Sequence, residues 1–262
     1  MATETSRDWR VRWRLFFSEL IGTAVLVGGG LSFVILMFGA GSPMVQIIPN
    51  ERLRMALAAF LFGCVGTVVT LSRVGRESGS HINPAVTMGF WMMHKLDLRA
   101  AVGYIVAQLL GGCLGALPLL AWGSMGRSID FGATIPGKGY STAAVVMGEV
   151  VTTFGLVSTL CVCLAFRHLR RYTPFVIPFL YALMVPLEAH ISGTSTNPAR
   201  TLGPALISGR WEGWWIYWVG PMLGMMVAIL VCSSIARRIE VAKLYHFEND
   251  RRRLFHRMAG SG

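Results

Sequence analysis

Two asparagines, Asn83 and Asn197, are the residues best placed for chemistry, because each begins an Asn-Pro-Ala tripeptide. Asparagine before proline predicts a helix start, since the Asn side chain caps free backbone N–H groups and Pro suits the first helical position. The amide also offers N–H donors to a polar ligand, and each helix start adds about half an elementary positive charge. Arg200 follows the second tripeptide directly and adds a full charge. Such a centre would bind a neutral polar molecule and repel cations.

Two carboxylates, Glu19 and Glu149, are further candidates, because each lies near the start of a long apolar run. An ionisable side chain inside a membrane is costly and is therefore a functional candidate by default. One interpretation makes these residues proton-relay groups of a transporter. The sequence offers no nucleophile paired with a base and no cluster of metal ligands, so we expect no enzyme, no bound metal and no cofactor.

The elements that position these residues are apolar runs. Of the 262 residues, 53% are hydrophobic and 14% are charged, whereas about a quarter of the residues of a soluble domain are charged. The runs are Leu15–Phe38, Leu53–Leu71, Ala100–Trp122, Ala143–Phe166, Pro174–Leu187 and Gly213–Ala236. We predict an all-α membrane protein with six transmembrane helices in a lipid bilayer.

The basic residues indicate orientation rather than a ligand. A net charge of +11 is typical of some nucleic-acid-binding proteins, but no nucleic-acid-binding motif accompanies it, so we expect no nucleic acid partner. Most Lys and Arg residues lie in the N-terminal segment, after the second and fourth runs, and in the C-terminal tail. The positive-inside rule therefore predicts that both termini are cytoplasmic.

The two halves of the chain repeat one pattern, in which two runs are followed by an Asn-Pro-Ala half-helix and a third run. An odd number of spans per half means that the second half enters the membrane inverted. A half-helix of about ten residues is about 15 Å long, half of a hydrocarbon core of about 30 Å. We therefore predict two re-entrant half-helices whose starts meet at the midplane of an inverted repeat. The predicted domains are a cytoplasmic segment at 1–14, one channel domain at 15–236 and a basic cytoplasmic tail at 237–262. The two halves of the channel domain lie at about 15–122 and 143–236.

This arrangement resembles the major intrinsic protein family, the aquaporins and aquaglyceroporins, over roughly Phe16–Ala236. The resemblance implies a passive channel that conducts water in single file and excludes protons and ions. It also implies a homotetramer in the cell membrane, with a pore in each subunit. Asn83 and Asn197 would form the pore centre. Backbone carbonyls of the two loops would replace the hydrogen bonds that water loses, at Gly79, Ser80, His81, Ile82, Gly193, Thr194 and Ser195.

Three buried side chains gain roles from the resemblance. Glu19 and Glu149 would accept hydrogen bonds from the loops and brace them, which we favour over the proton relay. His81 would be a buried, hydrogen-bonded histidine that fixes the first loop beside the pore, with a gate or a relay as the alternative.

The selectivity filter of the family maps onto four positions near the outer mouth. Arg200 and Thr194 supply two of them, and Val185 supplies the position on the fifth span. The position on the second span is Phe62 or Gly63, because ungapped counting gives Gly63 while the local Phe-Gly pattern gives Phe62. Gly63 would make the pore wider.

The identity of the solute depends on a few positions in and near the filter. Water-selective relatives usually have His where this chain has Val185, which leaves strict water specificity open. In contrast, Thr201, Ala205 and the pair Tyr217-Trp218 resemble the water branch rather than the glycerol channels. Water is the first expectation, and glycerol, ammonia or hydrogen peroxide are the alternative, with or without water. An ion-coupled secondary transporter is the remaining alternative.

Two regions at the ends of the pore have open roles. Glu188 and His190 are expected to lie in a solvated outer vestibule, with a pH-sensitive gate as the alternative. The tail is expected to be solvated and attracted to anionic lipid, with regulation or partner binding as the alternative.

Overall fold

In the computed structural model the residues described are 2–240 and 242–244, with side chains from residue 12 onward. Helices account for most of this part of the chain. In chain order they are α1 (Ala2–Phe38), α2 (Met44–Ile47), α3 (Glu51–Leu71), α4 (Arg73–Ser78), α5 (Pro84–Met92), α6 (Leu98–Ala116), α7 (Gly123–Arg127), α8 (Thr142–Ala165), α9 (Arg167–Arg170), α10 (Thr173–Glu188), α11 (Pro198–Ser208), α12 (Ile216–Val231) and α13 (Ser233–Ala236). Short 3-10 helices occupy Leu117–Trp122 and Asp130–Gly132.

The six predicted spans are confirmed as helices α1, α3, α6, α8, α10 and α12. Within the described residues, the helical stretches that are long and apolar enough to cross a membrane are Arg12–Phe38, Glu51–Leu71, Leu98–Arg127 and Thr142–Ala165, while α10 and α12 are shorter apolar helices. The third span differs from its predicted end, because α6 stops at Ala116 and continues as a 3-10 turn. Pro118 explains this change, since it lacks a backbone N–H and its ring clashes with the preceding helical turn.

The two predicted half-helices are also confirmed. Helices α5 and α11 contain 9 and 11 residues, which corresponds to about 14 and 17 Å at 1.5 Å per residue. Each begins directly after its Asn residue, and α11 ends at Ser208 because the next residue, Gly209, has left-handed backbone (φ 75°) and terminates the helix. Each half-helix is therefore long enough to reach from one surface of a bilayer to its middle.

Packing places the half-helices inside the bundle. Helix α1 packs against α6 and α3, α8 packs against α12, and α3 packs against α10 to join the two halves of the chain. Half-helix α5 contacts α6 and α12, so it lies between helices of both halves, while α11 packs mainly on α6. The six long helices thus surround the two Asn-Pro-Ala starts.

Helices α6 and α11 touch backbone to backbone. A side chain at Gly112 would collide with the carbonyl oxygen of Ala199, and a side chain at Gly203 would collide with the carbonyl oxygen of Gly112. Only glycine permits such a close approach. This contact therefore fixes the depth of α11, and with it the position of Asn197.

The distribution of apolar and charged side chains is that of an integral membrane protein. Val68, Leu183 and Leu230 are large apolar residues on the outer surface and are 66%, 64% and 68% exposed. Glu19 and Glu149 lie inside the bundle and are 0% exposed. A water-soluble protein keeps most charged groups at its surface, so this outer surface suits contact with lipid.

The bundle has two distinguishable ends. We call one of them the basic end, which carries Arg12, Arg76 and Arg170. Arg12 pairs there with Asp97, with 3.1 Å between Nη1 and Oδ1. The far end carries Asp130–Gly132, which is followed by the loop that leads into the second half of the chain.

The first residues of the tail pack onto the basic end. Arg170 binds Glu240, with 3.0 Å between Nη1 and Oε2, and its Nη2 donates to the carbonyl oxygen of Arg238. Ile239 and Ala242 are 1% and 0% exposed. The prediction of a solvated tail is therefore wrong for Ile239 and Ala242, whereas Arg238 and Glu240 are exposed, and residues 241 and 245–262 lie outside the described residues.

Candidate functional site

Asn83 and Asn197 cap the half-helices that they precede. Oδ1 of Asn83 accepts a hydrogen bond from the N–H of Ala85 at 2.8 Å. Oδ1 of Asn197 accepts from the N–H groups of Ala199 and Arg200 at 3.0 and 3.3 Å. These caps use the amide oxygen and leave the amide nitrogen of each side chain for other partners.

The two amide nitrogens reach across the centre of the bundle. Nδ2 of Asn83 donates to the carbonyl oxygen of Thr196, and Nδ2 of Asn197 donates to the carbonyl oxygen of Ile82, both at 2.9 Å. The two helix starts therefore meet, and each is tied to the loop of the other. Because an amide carries two N–H groups, each asparagine keeps one donor for a ligand in the adjacent cavity.

Each loop that leads to an asparagine turns through left-handed backbone. The residues with φ between 43° and 92° occupy corresponding positions in the two loops: Gly79, Ser80 and Ile82 in the first, Gly193, Thr194 and Thr196 in the second. Such values are unusual for β-branched residues and cost about 1–3 kcal/mol each. The surrounding structure must therefore hold both loops in place.

Glu19 supports the first loop. Its Oε1 accepts from the backbone N–H of His81 at 3.0 Å, and its Oε2 accepts from the N–H of Ile82 at 2.7 Å. Gln108, from α6, donates its Nε2 to the same Oε2 at 2.7 Å and to the hydroxyl of Thr87 at 2.9 Å. Both carboxylate oxygens are therefore occupied by donors from the protein.

Glu149 supports the second loop in the equivalent way. Its Oε1 and Oε2 accept from the backbone N–H groups of Ser195 and Thr196 at 2.7 and 2.8 Å. The hydroxyl of Ser192 donates to Oε1 as well, at 2.7 Å. Each carboxylate oxygen of the two glutamates therefore accepts at least one hydrogen bond from the protein.

Two tyrosines add a second pair of supports that the sequence reasoning missed. The hydroxyl of Tyr104 donates to the carbonyl oxygen of Ser78 at 2.7 Å, and the hydroxyl of Tyr217 donates to that of Ser192 at 2.8 Å. Both tyrosines are 0% exposed. Tyr104 lies in the third apolar run and Tyr217 in the sixth, which is the last run of each half. This equivalence in the sequence could have indicated a shared role.

The first loop also contacts the tail. The carbonyl oxygen of Gly79, one of the predicted pore-lining carbonyls, accepts a hydrogen bond from the N–H of Leu244 at 3.0 Å. The carbonyl of Ile82 is likewise occupied, by Asn197. Leu244 lines the cavity beside this loop, so the start of the tail occupies part of the mouth at the basic end.

His81 is buried and hydrogen bonded at both ring nitrogens. Nε2 lies 3.1 Å from the carbonyl oxygen of Ala242, and Nδ1 lies 3.2 Å from the hydroxyl of Thr87. A carbonyl only accepts, so Nε2 carries a proton and Nδ1 of the neutral ring accepts from Thr87. The ring stacks on Phe90 with 4.5 Å between centroids. These contacts fix the ring between the first loop and the tail.

Two cavities adjoin the asparagine pair. The inner cavity, of about 70 Å³, is lined by Asn83, Asn197 and His81 and extends toward the basic end. The outer cavity, of about 260 Å³, is lined by Val185, Thr194 and Arg200. Within the described residues, no group of three His, Cys, Asp or Glu side chains is placed to hold a metal ion.

The geometry distinguishes the two candidates for the second-span position. Phe62 lines both cavities, and its ring centroid lies 6.0 Å from Cζ of Arg200. Gly63 lines the inner cavity, but a side chain there would point into the backbone of Pro178. Phe62 therefore faces Arg200 across the outer cavity, while Gly63 allows α3 and α10 to pack closely.

Arg200 and Thr194 are held by the protein at the outer cavity. Nη1 of Arg200 donates to the carbonyl oxygen of Gly132 at 2.8 Å. The hydroxyl of Thr194 donates to Oε2 of Glu188 at 2.5 Å. Glu188 is 8% exposed, so the prediction that it lies in a solvated vestibule is wrong, whereas His190 is exposed.

Tyr181 is a cavity residue that the sequence reasoning missed. It lines both cavities, and its hydroxyl lies 2.8 Å from that of Thr196. Its position one helical turn before Val185 on α10 is the signal that could have identified it.

Comparison with known proteins gives matches over most of the chain. The sequence profile of the family described as major intrinsic protein matches residues 5–232. A relative in Zea mays, aquaporin TIP1-2, is 35% identical over 225 residues, which cover 83% of this chain and 84% of the relative. Aquaporin AqpM of Methanothermobacter marburgensis is 34% identical over 232 residues, covering 81% and 93% of the two chains.

A solved structure matches the fold. The aquaglyceroporin from Plasmodium falciparum superposes with a TM-score of 0.65, covering 86% of this chain and 96% of that one. Its sequence identity of 19% supports a likeness of fold alone.

Proposed function

The chain belongs to the major intrinsic protein family, and we propose that it is a passive channel that conducts water in single file across a membrane. The relatives that it resembles over most of its length are named aquaporins. The observation that carries the proposal is the reciprocal hydrogen bonding of Asn83 and Asn197, which leaves one N–H donor of each amide beside the inner cavity.

These donors determine how water passes the centre. A water oxygen that accepts hydrogen bonds from both asparagines has its own protons directed away from them. Such a molecule cannot relay a proton along the file through its oxygen. Water is therefore conducted while the chain of proton transfer is interrupted.

Charge exclusion follows from the same elements. Half-helices α5 and α11 point their positive ends at the centre, and Arg200 lines the outer cavity. Arg side chains and the positive ends of half-helices are the general means by which such pores exclude protons and cations. The ion-coupled transporter is the weaker alternative, because Glu19 and Glu149 are both occupied as braces.

We assign the selectivity filter to Phe62, Val185, Thr194 and Arg200. All four line the outer cavity, and the contact of Phe62 with Arg200 favours Phe62 over Gly63. Small neutral solutes such as glycerol, ammonia or hydrogen peroxide form the second candidate class. The apolar side chain of Val185 supports this class, since it adds no polar group to the filter.

The orientation and assembly are inferred as well. The basic end contains the N-terminal Arg12 together with the start of the tail, which favours cytoplasmic termini by the positive-inside rule. We also propose a single channel domain at 15–236 and a homotetramer in the cell membrane. The homotetramer and the choice of membrane rest on the family alone.

Stopped-flow light scattering on proteoliposomes tests this function. An impermeant osmolyte should shrink vesicles that contain the protein faster than empty vesicles, with weak temperature dependence and no dependence on a proton gradient. Shrinkage at the rate of empty vesicles would rule out a water channel. Accumulation of a solute that stops when the proton gradient collapses would instead favour the transporter.

A further inference from the structure

The passage between the outer and inner cavities has its own boundary, separate from Arg200. Three residues line both cavities: Phe62, Tyr181 and Ser195. Val185, Thr194 and Arg200 line the outer cavity. Any solute that goes from one cavity to the other must therefore pass the three shared residues.

Tyr181 is fixed at this boundary from two directions. Its ring lies beside Phe62, with 6.3 Å between the centroids, a separation typical of aromatic contact. At its other end the hydroxyl forms a hydrogen bond of 2.8 Å with the hydroxyl of Thr196. The side chain thus extends from α10 to the second loop, and its ring cannot move aside without breaking a contact.

The loop side of the boundary is rigid as well. Thr196 donates its N–H to Glu149 at 2.8 Å, and its carbonyl oxygen accepts from Asn83 at 2.9 Å. Ser195 donates its N–H to Glu149 at 2.7 Å. The boundary therefore consists of an aromatic pair on one side and a loop anchored by both Glu149 and Asn83 on the other.

We propose that Tyr181 is a specificity-determining residue of the pore, which with Phe62 and Ser195 limits the size of the uncharged solutes that pass between the two cavities. This inference rests on the proposed channel function and goes beyond the filter assigned to Val185. The polyol glycerol is the probe solute, because it is neutral, larger than water and rich in hydroxyl groups. We expect Tyr181 to exclude glycerol by size. Its hydroxyl is already bound to Thr196 and is therefore not available to bind a hydroxyl group of glycerol.

The test compares substitutions on α10 in the full chain, reconstituted in proteoliposomes. Glycerol and water permeabilities are measured on the same vesicles, so that their ratio is independent of the amount of active protein. Tyr181→Ala should raise this ratio about tenfold, which corresponds to about 1.4 kcal/mol of barrier. Tyr181→Phe keeps the ring but loses the hydrogen bond to Thr196, so it should raise the ratio less than Tyr181→Ala does.

Two further variants locate the limit. Val185→Ala enlarges the outer cavity and should raise the ratio less than Tyr181→Ala does. Leu183→Ala, on the same helix but 64% exposed on the outer surface, is the control and should leave the ratio unchanged.

Several outcomes would overturn the proposal. One is an unchanged ratio in Tyr181→Ala vesicles that still conduct water. A second is an equal or larger rise in Val185→Ala, and a third is rapid glycerol passage through the unmodified chain. If Tyr181→Ala does not fold and conducts no water, Tyr181→Leu is measured instead. An unchanged ratio of glycerol to water permeability in Tyr181→Leu vesicles would also overturn the proposal. If the unmodified chain did not conduct water, the channel function itself would be contradicted. This outcome is distinct from those above, which contradict only the role of Tyr181.

Discussion

Asn83 donates its side-chain amide to the carbonyl oxygen of Thr196 at 2.9 Å, so the residue that caps one half-helix also fastens the loop before the other. Asn197 and Ile82 form the matching contact. The two re-entrant segments therefore support each other, and neither is expected to keep its geometry alone.

The first prediction concerns the tie made by Asn83. Asn83→Asp keeps an oxygen that can cap α5 but removes the donor to Thr196, leaving a buried carbonyl unsatisfied. The expected loss of unfolding free energy is about 1–3 kcal/mol. Thermal unfolding in detergent measures it. Asn50→Asp is the matched control, because Asn50 caps α3 at an exposed site where Asp serves equally well. If Asn83→Asp were as stable as Asn50→Asp, the hydrogen bond from Asn83 to Thr196 would not stabilise the protein.

The second prediction concerns the brace at Glu149. Glu149→Gln replaces one acceptor oxygen with an NH₂ group that cannot accept from the backbone of Ser195 or Thr196. Hydrogen bonds to charged groups contribute about 1.5–3 kcal/mol each, so we expect lower thermal stability and loss of water permeability. Glu212→Gln, whose side chain is 55% exposed, should change neither property. A Glu149→Gln channel with unchanged permeability and stability would show that the carboxylate is not needed as a brace.

The third prediction concerns charge exclusion. Arg200→Val removes the positive charge from the outer cavity while Phe62 and Thr194 remain. Vesicles with this variant should admit protons or monovalent cations at least about tenfold faster, equivalent to about 1.4 kcal/mol of barrier. A pH-sensitive dye inside the vesicles reports the proton flux. Arg210→Val is the control, since Arg210 pairs with Asp130 at the far end and should cause no leak. If protons and cations entered vesicles of both variants no faster than vesicles of the unmodified chain, the half-helices alone would be sufficient to exclude cations.

The fourth prediction concerns the tail at the mouth of the inner cavity. A chain that ends at Glu240 keeps the ion pair with Arg170 but loses Ala242, whose carbonyl binds His81, and Leu244, whose N–H binds the carbonyl of Gly79. This carbonyl becomes available to water, and the mouth widens, so we expect higher water permeability. A chain that ends at Leu244 is the control and should match the full chain. Equal permeability of the two shortened chains would exclude an effect of 241–244.

The sequence was sufficient for the architecture, including the two half-helices and the residues at which they start. Helix capping depends on neighbouring residues, so Asn83-Pro84 and Asn197-Pro198 could be identified as helix starts without a structure. Span lengths follow from apolar runs, and the odd number of spans per half requires inversion. The positions of Glu19 and Glu149 as rare charges in apolar runs likewise marked them before their partners were known.

Tertiary structure was needed wherever the rotation of a helix decides the outcome. The spans are apolar on nearly all sides, so their sequences do not indicate which face meets the pore. The choice of Phe62 over Gly63, the role of Tyr181 and the burial of Glu188 beside Thr194 all depend on that rotation. The contact of Leu244 with Gly79 joins residues far apart in the chain, and local patterns carry no information about such pairs. The sequence alone therefore determined that two half-helices meet at the centre, while packing decided which side chains border the path to it.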